Sequence, residues 1–105
     1  MGFFDFLRGP DINKGVEEFR NTEGSVLIDV REDYEYAGGH IPGSINIPLG
    51  SIGNIGKYVK DKKTPLFVHC YSGGRSSTAV GRLKSMGYEN VKNIGGIGAY
   101  KGEVE

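Results

Sequence analysis

Two patterns of apolar positions alternate along this chain, and each predicts a different element. "SVLIDV", Ser25 to Val30, and "TPLFVHC", Thr64 to Cys70, are nearly unbroken apolar runs rich in branched residues. Such runs predict strands covered on both faces, as in a parallel sheet. "NVKNI", Asn90 to Ile94, predicts a final short strand, and the prolines at 42 and 48 confine another to about Ser44–Ile47. Helical spacing fills the gaps. Asp11 is a candidate N-cap for a helix carrying Ile12, Val16 and Phe19 on one face. "REDYEYAGG" predicts a short helical turn ended by Gly38 and Gly39. Ile52, Ile55 and Val59 form the stripe of a helix from Ser51 to about Lys60. A last helix opens near Arg75, carries Ala79, Val80, Leu83 and Met86 on one side, and stops at Gly87. The tail "GGIGAYKGEVE" predicts a glycine-rich turn, a single helical turn and a frayed end.

Strands alternating with helices over short connections predict an α/β fold, a small parallel β-sheet flanked by helices on both faces. One domain spans residues 11–105, preceded by an N-terminal arm of residues 1–10. The arm's Phe3, Phe4, Phe6 and Leu7 are expected to cover one edge of the core; contact with a second copy is the other reading, and oligomeric state stays open. In open parallel sheets ligands sit beyond the carboxyl ends of the strands. Cys70 lies at such an end.

Composition narrows the chemistry. Thirteen basic and thirteen acidic residues cancel, and the pI is near 6.7, so a basic face for nucleic acid is not expected. No apolar run reaches the ~18 residues of a membrane span. The opening "MGFFDFLRGP" lacks the marks of a signal peptide, and a cytoplasmic location is expected. One cysteine excludes an internal disulfide, and two histidines beside it exclude a Cys/His-rich zinc site. No metal or cofactor is implied. If Cys70 is functional, it works alone.

"CYSGGRSS", Cys70 to Ser77, is where that function would reside. A cysteine ending an apolar strand is often a small core residue. Here, however, Gly73 and Gly74 free the backbone to turn consecutive N–H groups inward, as anion-binding loops do. The helix opening at Arg75 aims the positive end of its dipole at the same point. A thiolate in that field should have a lowered pKa. Arg75 adds a permanent charge with a fork of donors, and Ser76 and Ser77 offer hydroxyls. His69 should face away from Cys70, because neighbouring strand residues point to opposite faces, and is expected to be structural.

"CYSGGRS" resembles the active loop of the rhodanese-like sulfurtransferases: Cys, two residues, Gly, one residue, Arg, Ser. "LIDVREDYEYAGGHIPGSINIP", Leu27 to Pro48, is similar to their other signature, an Asp-x-Arg followed by Gly-His-Ile-Pro-Gly. "NIGGIGAY" resembles the family's closing Gly-Gly motif, with Tyr100 where Trp is common. The resemblance implies a sulfurtransferase in which Cys70 takes sulfane sulfur from thiosulfate or a similar small-molecule donor and yields it to a thiol or protein acceptor. It implies that the N–H groups of Tyr71, Ser72, Gly73, Gly74, Arg75 and Ser76 hold the persulfide charge. It places Asp29, Arg31 and His40 around the site as supporting residues. Read for themselves, Asp29 and Arg31 suit a salt bridge or a cap, His40 suits a hydrogen-bonded turn, and Glu35 is expected to stay solvated or to pair with Arg31. Tyr71 and Ser72 occupy variable loop positions suited to tuning substrate choice.

Three alternatives stand beside that reading. A persulfide carrier needs the same thiolate, and a partner-binding module could keep the fold without turnover. Cysteine phosphatases and arsenate reductases also cradle a thiolate, but phosphatases separate Cys and Arg by five residues where this chain has four. The shorter loop makes a narrower bowl, better matched to one sulfur than to phosphate.

Overall fold

The computed structural model of the chain describes residues 9–105. The expectation for Phe3, Phe4, Phe6 and Leu7 lies outside those residues. The elements in order are helix α1 (Ile12–Arg20), strand β1 (Val26–Asp29), helix α2 (Asp33–Ala37), strand β2 (Ser44–Asn46), a 3₁₀ helix (Leu49–Lys57), strand β3 (Leu66–Cys70), helix α3 (Gly74–Ser85), strand β4 (Val91–Gly96) and a 3₁₀ turn (Ile97–Ala99). The four strands form one sheet in the order β2-β1-β3-β4, parallel at every pairing.

The two faces of the sheet bury two separate sets of side chains. Ile28, Val30 and Val68 turn to one face, where Ile52 and Ile55 of the long 3₁₀ helix and Ala79 and Leu83 of α3 cover them. Leu27 and Phe67 turn to the other, where Ile12 and Val16 of α1 close over them. Period-two alternation along β1 and β3 makes this division. Both central strands are covered on both sides, which is why they read as continuous apolar runs.

Local chemistry fixes the helix ends. The Asp11 carboxylate accepts the N–H groups of Asn13 at 2.9 Å and Lys14 at 3.5 Å, capping α1. α3 ends where Gly87 takes φ +100°, with its N–H on Lys84 and that of Tyr88 on Leu83.

Four expectations change. The segment after Pro48 is a 3₁₀ helix that starts at Leu49, not an α-helix from Ser51. Its apolar residues Leu49, Ile52 and Ile55 repeat every third position, which matches three residues per turn. Gly50, Gly53 and Gly56 interleave with them and weaken any α-helical preference. Met86 caps α3 in an exposed position, and Tyr88 takes the buried place beside Leu83, its hydroxyl donating to the Val59 carbonyl. β4 runs on through Gly95 and Gly96, so the glycine pair is strand, not turn. The tail is not frayed: the Glu105 N–H donates to the His40 carbonyl at 2.9 Å, and the His40 N–H donates back at 3.0 Å.

β4 carries one irregularity. Val68 pairs with Asn93 but His69 pairs with Gly95, so Ile94 is the extra residue of a bulge, with Gly95 at φ +102°. Ile94 drops into the α1 face against Gly15, while Asn93 stays on the Cys70 face. A Cβ on Gly15 would lie 2.6 Å from Ile94 Cγ2. Gly15→Ala should therefore push α1 off β4 and cost about 1–3 kcal/mol, read as a lowered Tm in thermal unfolding. An unchanged Tm would mean that this contact relaxes freely.

Candidate active site

β3 delivers Cys70 to the carboxyl edge of the sheet, between β1 and β4. The chain then turns through residues 71–73, with Gly73 at φ +103°, and enters α3 at Gly74. This left-handed step is open to glycine and lets the loop fold back over the sulfur. Gly73 donates its N–H to Cys70 Sγ at 3.0 Å, and Ser76 Oγ lies 3.4 Å from the same atom. Cys70 is 1% exposed. Burial pushes the thiol up, but the Ser76 hydroxyl and the N–H groups of Ser76, Gly73 and Ser72 more than offset it, and the thiol lies below its ordinary value. The sulfur is covered, and the amides covering it aim at it.

The outer side of the loop is equally constrained. Tyr71 turns its carbonyl onto the Gly98 N–H at 3.0 Å, and a Cβ on Gly96 would overlap that carbonyl. A Cβ on Gly98 would meet the Tyr71 ring at 2.9 Å. The closing glycines thus form a bare bed on which the loop rests. Tyr71 and Ser72 stand exposed at this edge, beside a cleft of about 840 Å³ shared with α1 and β4.

Arg75 and Ser76 part company. Ser76 is buried under the loop, whereas Ser77 points to solvent. Arg75 reaches sideways to Glu35 of α2, with Nη1 at 2.6 Å and Nη2 at 3.1 Å from its two carboxylate oxygens. Glu35 therefore pairs with Arg75, not with Arg31. Arg31 instead turns its guanidinium to Asp29 at 2.8 Å and to the Gly39 carbonyl at 2.8 Å. The Arg75 contact holds the Glu35 carboxyl down, to about 2 from 4.5.

Asp29 and Arg31 sit behind the site. Asp29 also accepts the Arg31 N–H at 2.9 Å, and both residues are buried. Asn46 of β2 donates to the carbonyls of Asp29 and Arg31, each at 3.0 Å. His40 stacks on Tyr36 with ring centroids 3.8 Å apart, bonds the Tyr36 carbonyl through Nδ1, and lies 3.7 Å from the Glu105 carboxylate. None of these His40 contacts reaches the loop. His69 faces away from the sulfur, 3.7 Å from Asp29 Oδ2. Burial first, against the pull of Asp29, lowers the ring's pKa; Nδ1 donates to the Cys70 carbonyl, and among the described residues Nε2 has no hydrogen-bond partner.

Sequence reasoning missed Asn93. Its Nδ2 donates to the Gly73 carbonyl at 3.2 Å and its Oδ1 lies 2.8 Å from Ser76 Oγ. It is 17 residues from Ser76, and only a polar residue in the last strand hinted at it.

Cys70 thus ends a parallel strand beneath a glycine loop whose Gly73 N–H and Ser76 hydroxyl face the sulfur. The chain belongs to the rhodanese-like domain family, whose model matches residues 13–103. It is 41% identical over 71 residues to the thiosulfate sulfurtransferase PspE of Escherichia coli, covering 67% of this chain and 68% of the relative. It is 36% identical over 96 residues to the adenylyltransferase and sulfurtransferase uba4 of Ogataea parapolymorpha, covering 90% of this chain but 25% of that protein. A solved structure described as a rhodanese with anions from E. coli superposes with a TM-score of 0.72 at 35% identity, over 77% of this chain and 96% of its own. The four-stranded parallel sheet with its helices is the fold of these neighbours. Among the described residues no helix is long and apolar enough to cross a membrane.

Two outcomes test this geometry. Because the folded Glu35 carboxyl is depressed, its pair with Arg75 is fully present above about 4.5 and lost as pH falls through about 2. Carboxyl titration by NMR should find the Glu35 midpoint near 2; a midpoint near 4.5 would mean the pair does not form. Gly96→Ala should lift the Tyr71 peptide off its bed and cost about 1–3 kcal/mol, read as a lowered Tm in thermal unfolding. An unchanged Tm would show that the loop does not depend on this contact.

Proposed function

We propose that this protein is a sulfurtransferase that moves sulfane sulfur from thiosulfate or a similar donor, through a Cys70 persulfide, to a thiophilic acceptor. The observation that carries the reading is the Gly73 N–H on Cys70 Sγ, within a loop whose donors draw the thiol below its ordinary value. Family membership and the likeness to PspE support the transferase class.

The chemistry runs in two displacements. The Cys70 thiolate attacks the outer sulfur of thiosulfate; a Cys70–sulfur bond forms, the sulfur–sulfur bond to the sulfite group breaks, and sulfite leaves with that bond's electron pair. One negative charge remains, now on the outer sulfur, where the inward N–H groups stabilise it as an oxyanion hole stabilises oxygen. An acceptor nucleophile, cyanide or a thiolate, then attacks the outer sulfur and returns Cys70 as thiolate. No proton has to move at the sulfur in either step, which agrees with a sulfur whose side-chain contacts among the described residues are the Ser76 hydroxyl and the Gly73 N–H. The cover over Cys70 favours a reacting atom as slim as a single sulfur.

The Glu35–Arg75 pair argues against phosphate chemistry. A phosphatase uses the arginine fork to grip the phosphoryl oxygens, and here two of its N–H groups face a carboxylate instead. A cytoplasmic setting, where a lone thiol stays reduced, suits the reaction. The acceptor is a small thiol or a protein, and a carrier role for a partner enzyme is the same chemistry with a slower second step.

Incubation with thiosulfate should add one sulfur atom to the intact mass of the wild type and none to Cys70→Ser. Added cyanide should then remove it, with thiocyanate as product. Absence of the adduct in the wild type, or its survival in the variant, would overturn the assignment.

A further inference from the structure

Three acceptors compete for the single proton of the Ser76 hydroxyl. Its Oγ lies 2.8 Å from Asn93 Oδ1, 3.1 Å from the Gly73 carbonyl and 3.4 Å from Cys70 Sγ. Where the proton goes depends on the capacity each acceptor has left. The Gly73 carbonyl already accepts two N–H groups, from Ser77 at 3.1 Å and from Asn93 Nδ2 at 3.2 Å, which fills both of its lone pairs. Asn93 Oδ1 accepts the Gly95 N–H at 3.0 Å, leaving it one free lone pair. That Gly95 bond also decides which end of the Asn93 amide faces Ser76. The bulge at Ile94 places this N–H there, so the backbone of β4 orients Asn93, and Asn93 orients Ser76.

We propose that Asn93 is a positioning residue for Cys70: it closes off the Gly73 carbonyl and lends its own oxygen to Ser76, so that the Ser76 hydroxyl is free to swing onto Sγ as the thiolate forms. In the thiol state the Cys70 S–H donates to Ser76 Oγ and the Ser76 O–H rests on Asn93. When the Cys70 proton leaves to solvent, the Ser76 O–H turns from Asn93 to the sulfur. When Cys70 takes up a second sulfur, the charge moves to the outer atom and the hydroxyl turns back. Sγ is thus stabilised when it carries charge and released when it does not. The inference rests on Cys70 being the nucleophile of the proposed reaction, and it adds to the loop amides a switchable donor set from a strand outside the loop.

The ionisation midpoint of Cys70, followed by its Cβ chemical shift against pH, tests this. Asn93→Ala leaves the Gly73 carbonyl short of a donor, and that carbonyl then captures the Ser76 proton. The midpoint should rise by about one to two pH units, as expected for loss of a hydrogen bond to a charged group. Ser76→Ala should raise it by a similar amount. The double variant should rise no further than Ser76→Ala alone, because Asn93 acts through Ser76. Loss of packing would not produce that ceiling. An unchanged midpoint in folded Asn93→Ala, or shifts that add in the double variant, would overturn the proposal. Asn93→Asp keeps the shape and the Gly95 contact but turns the donor facing Gly73 into an anionic acceptor, which guards against a variant that fails to fold. Its midpoint should rise further than that of Asn93→Ala, and an unshifted midpoint there would equally end the idea. The measurement needs no sulfur donor. A wild type that takes up no sulfur would sink the proposed function while leaving this result standing, and the reverse also holds.

Discussion

A loop that turns its N–H groups inward must turn its carbonyls outward, and each outward carbonyl needs a partner of its own. Much of the sequence around Cys70 answers that requirement. The Tyr71 carbonyl finds the Gly98 N–H, and the Gly73 carbonyl finds Ser77 and Asn93. Both Gly98 and Asn93 belong to the segment from β4 onward, which lies beside β3 because the sheet order places it there. The cradle is therefore held from outside. Gly96 is part of the same condition, since the Tyr71 carbonyl occupies the space that a side chain would take.

A second tier of contacts joins α2 to this arrangement. Asp29 and Arg31 lock together beneath the sheet edge, and Arg31 extends that lock to Gly39 at the far end of α2. Tyr36 donates to the Ser44 carbonyl at 2.6 Å and stacks on His40, tying the same helix to β2. α2 is only five residues long and buries none of them, so these ties and its Glu32–Glu35 capping box hold it in place. Glu35 then presents its carboxylate to Arg75. The Asp-x-Arg and Gly-His-Ile-Pro-Gly stretch thus contributes to the site at one remove, through the helix it frames.

Sequence periodicity and end signals carried most of the architecture. The apolar runs from Ser25 and Thr64 had to be covered strands, and alternation alone turned His69 away from the sulfur. Cys70 at the strand end and the glycines after it were local features, so the loop was legible. What escaped was set by contacts distant in sequence. Glu35 and Arg75 are 40 residues apart and Asn93 and Gly73 are 20 apart, and no local pattern announces either pair. The 3₁₀ helix escaped for another reason. Ile52, Ile55 and Val59 fit an α-helical stripe, and the competing three-residue repeat is complete only when Leu49 is counted with Ile52 and Ile55. Met86 failed because the helix ended before its side could turn inward.

That three-residue repeat leaves a margin for engineering. Gly50, Gly53 and Gly56 have ordinary negative φ, and nothing stands within 4 Å of the place where a methyl group would sit on any of them. Alanine at these places would restrict the denatured chain without crowding the native one, a gain of about 0.4–1 kcal/mol at each. The segment covers the sheet face that Cys70 shares and gives the sulfur none of its hydrogen bonds. Heat tolerance could thus be raised there without rebuilding the Cys70 end of the molecule.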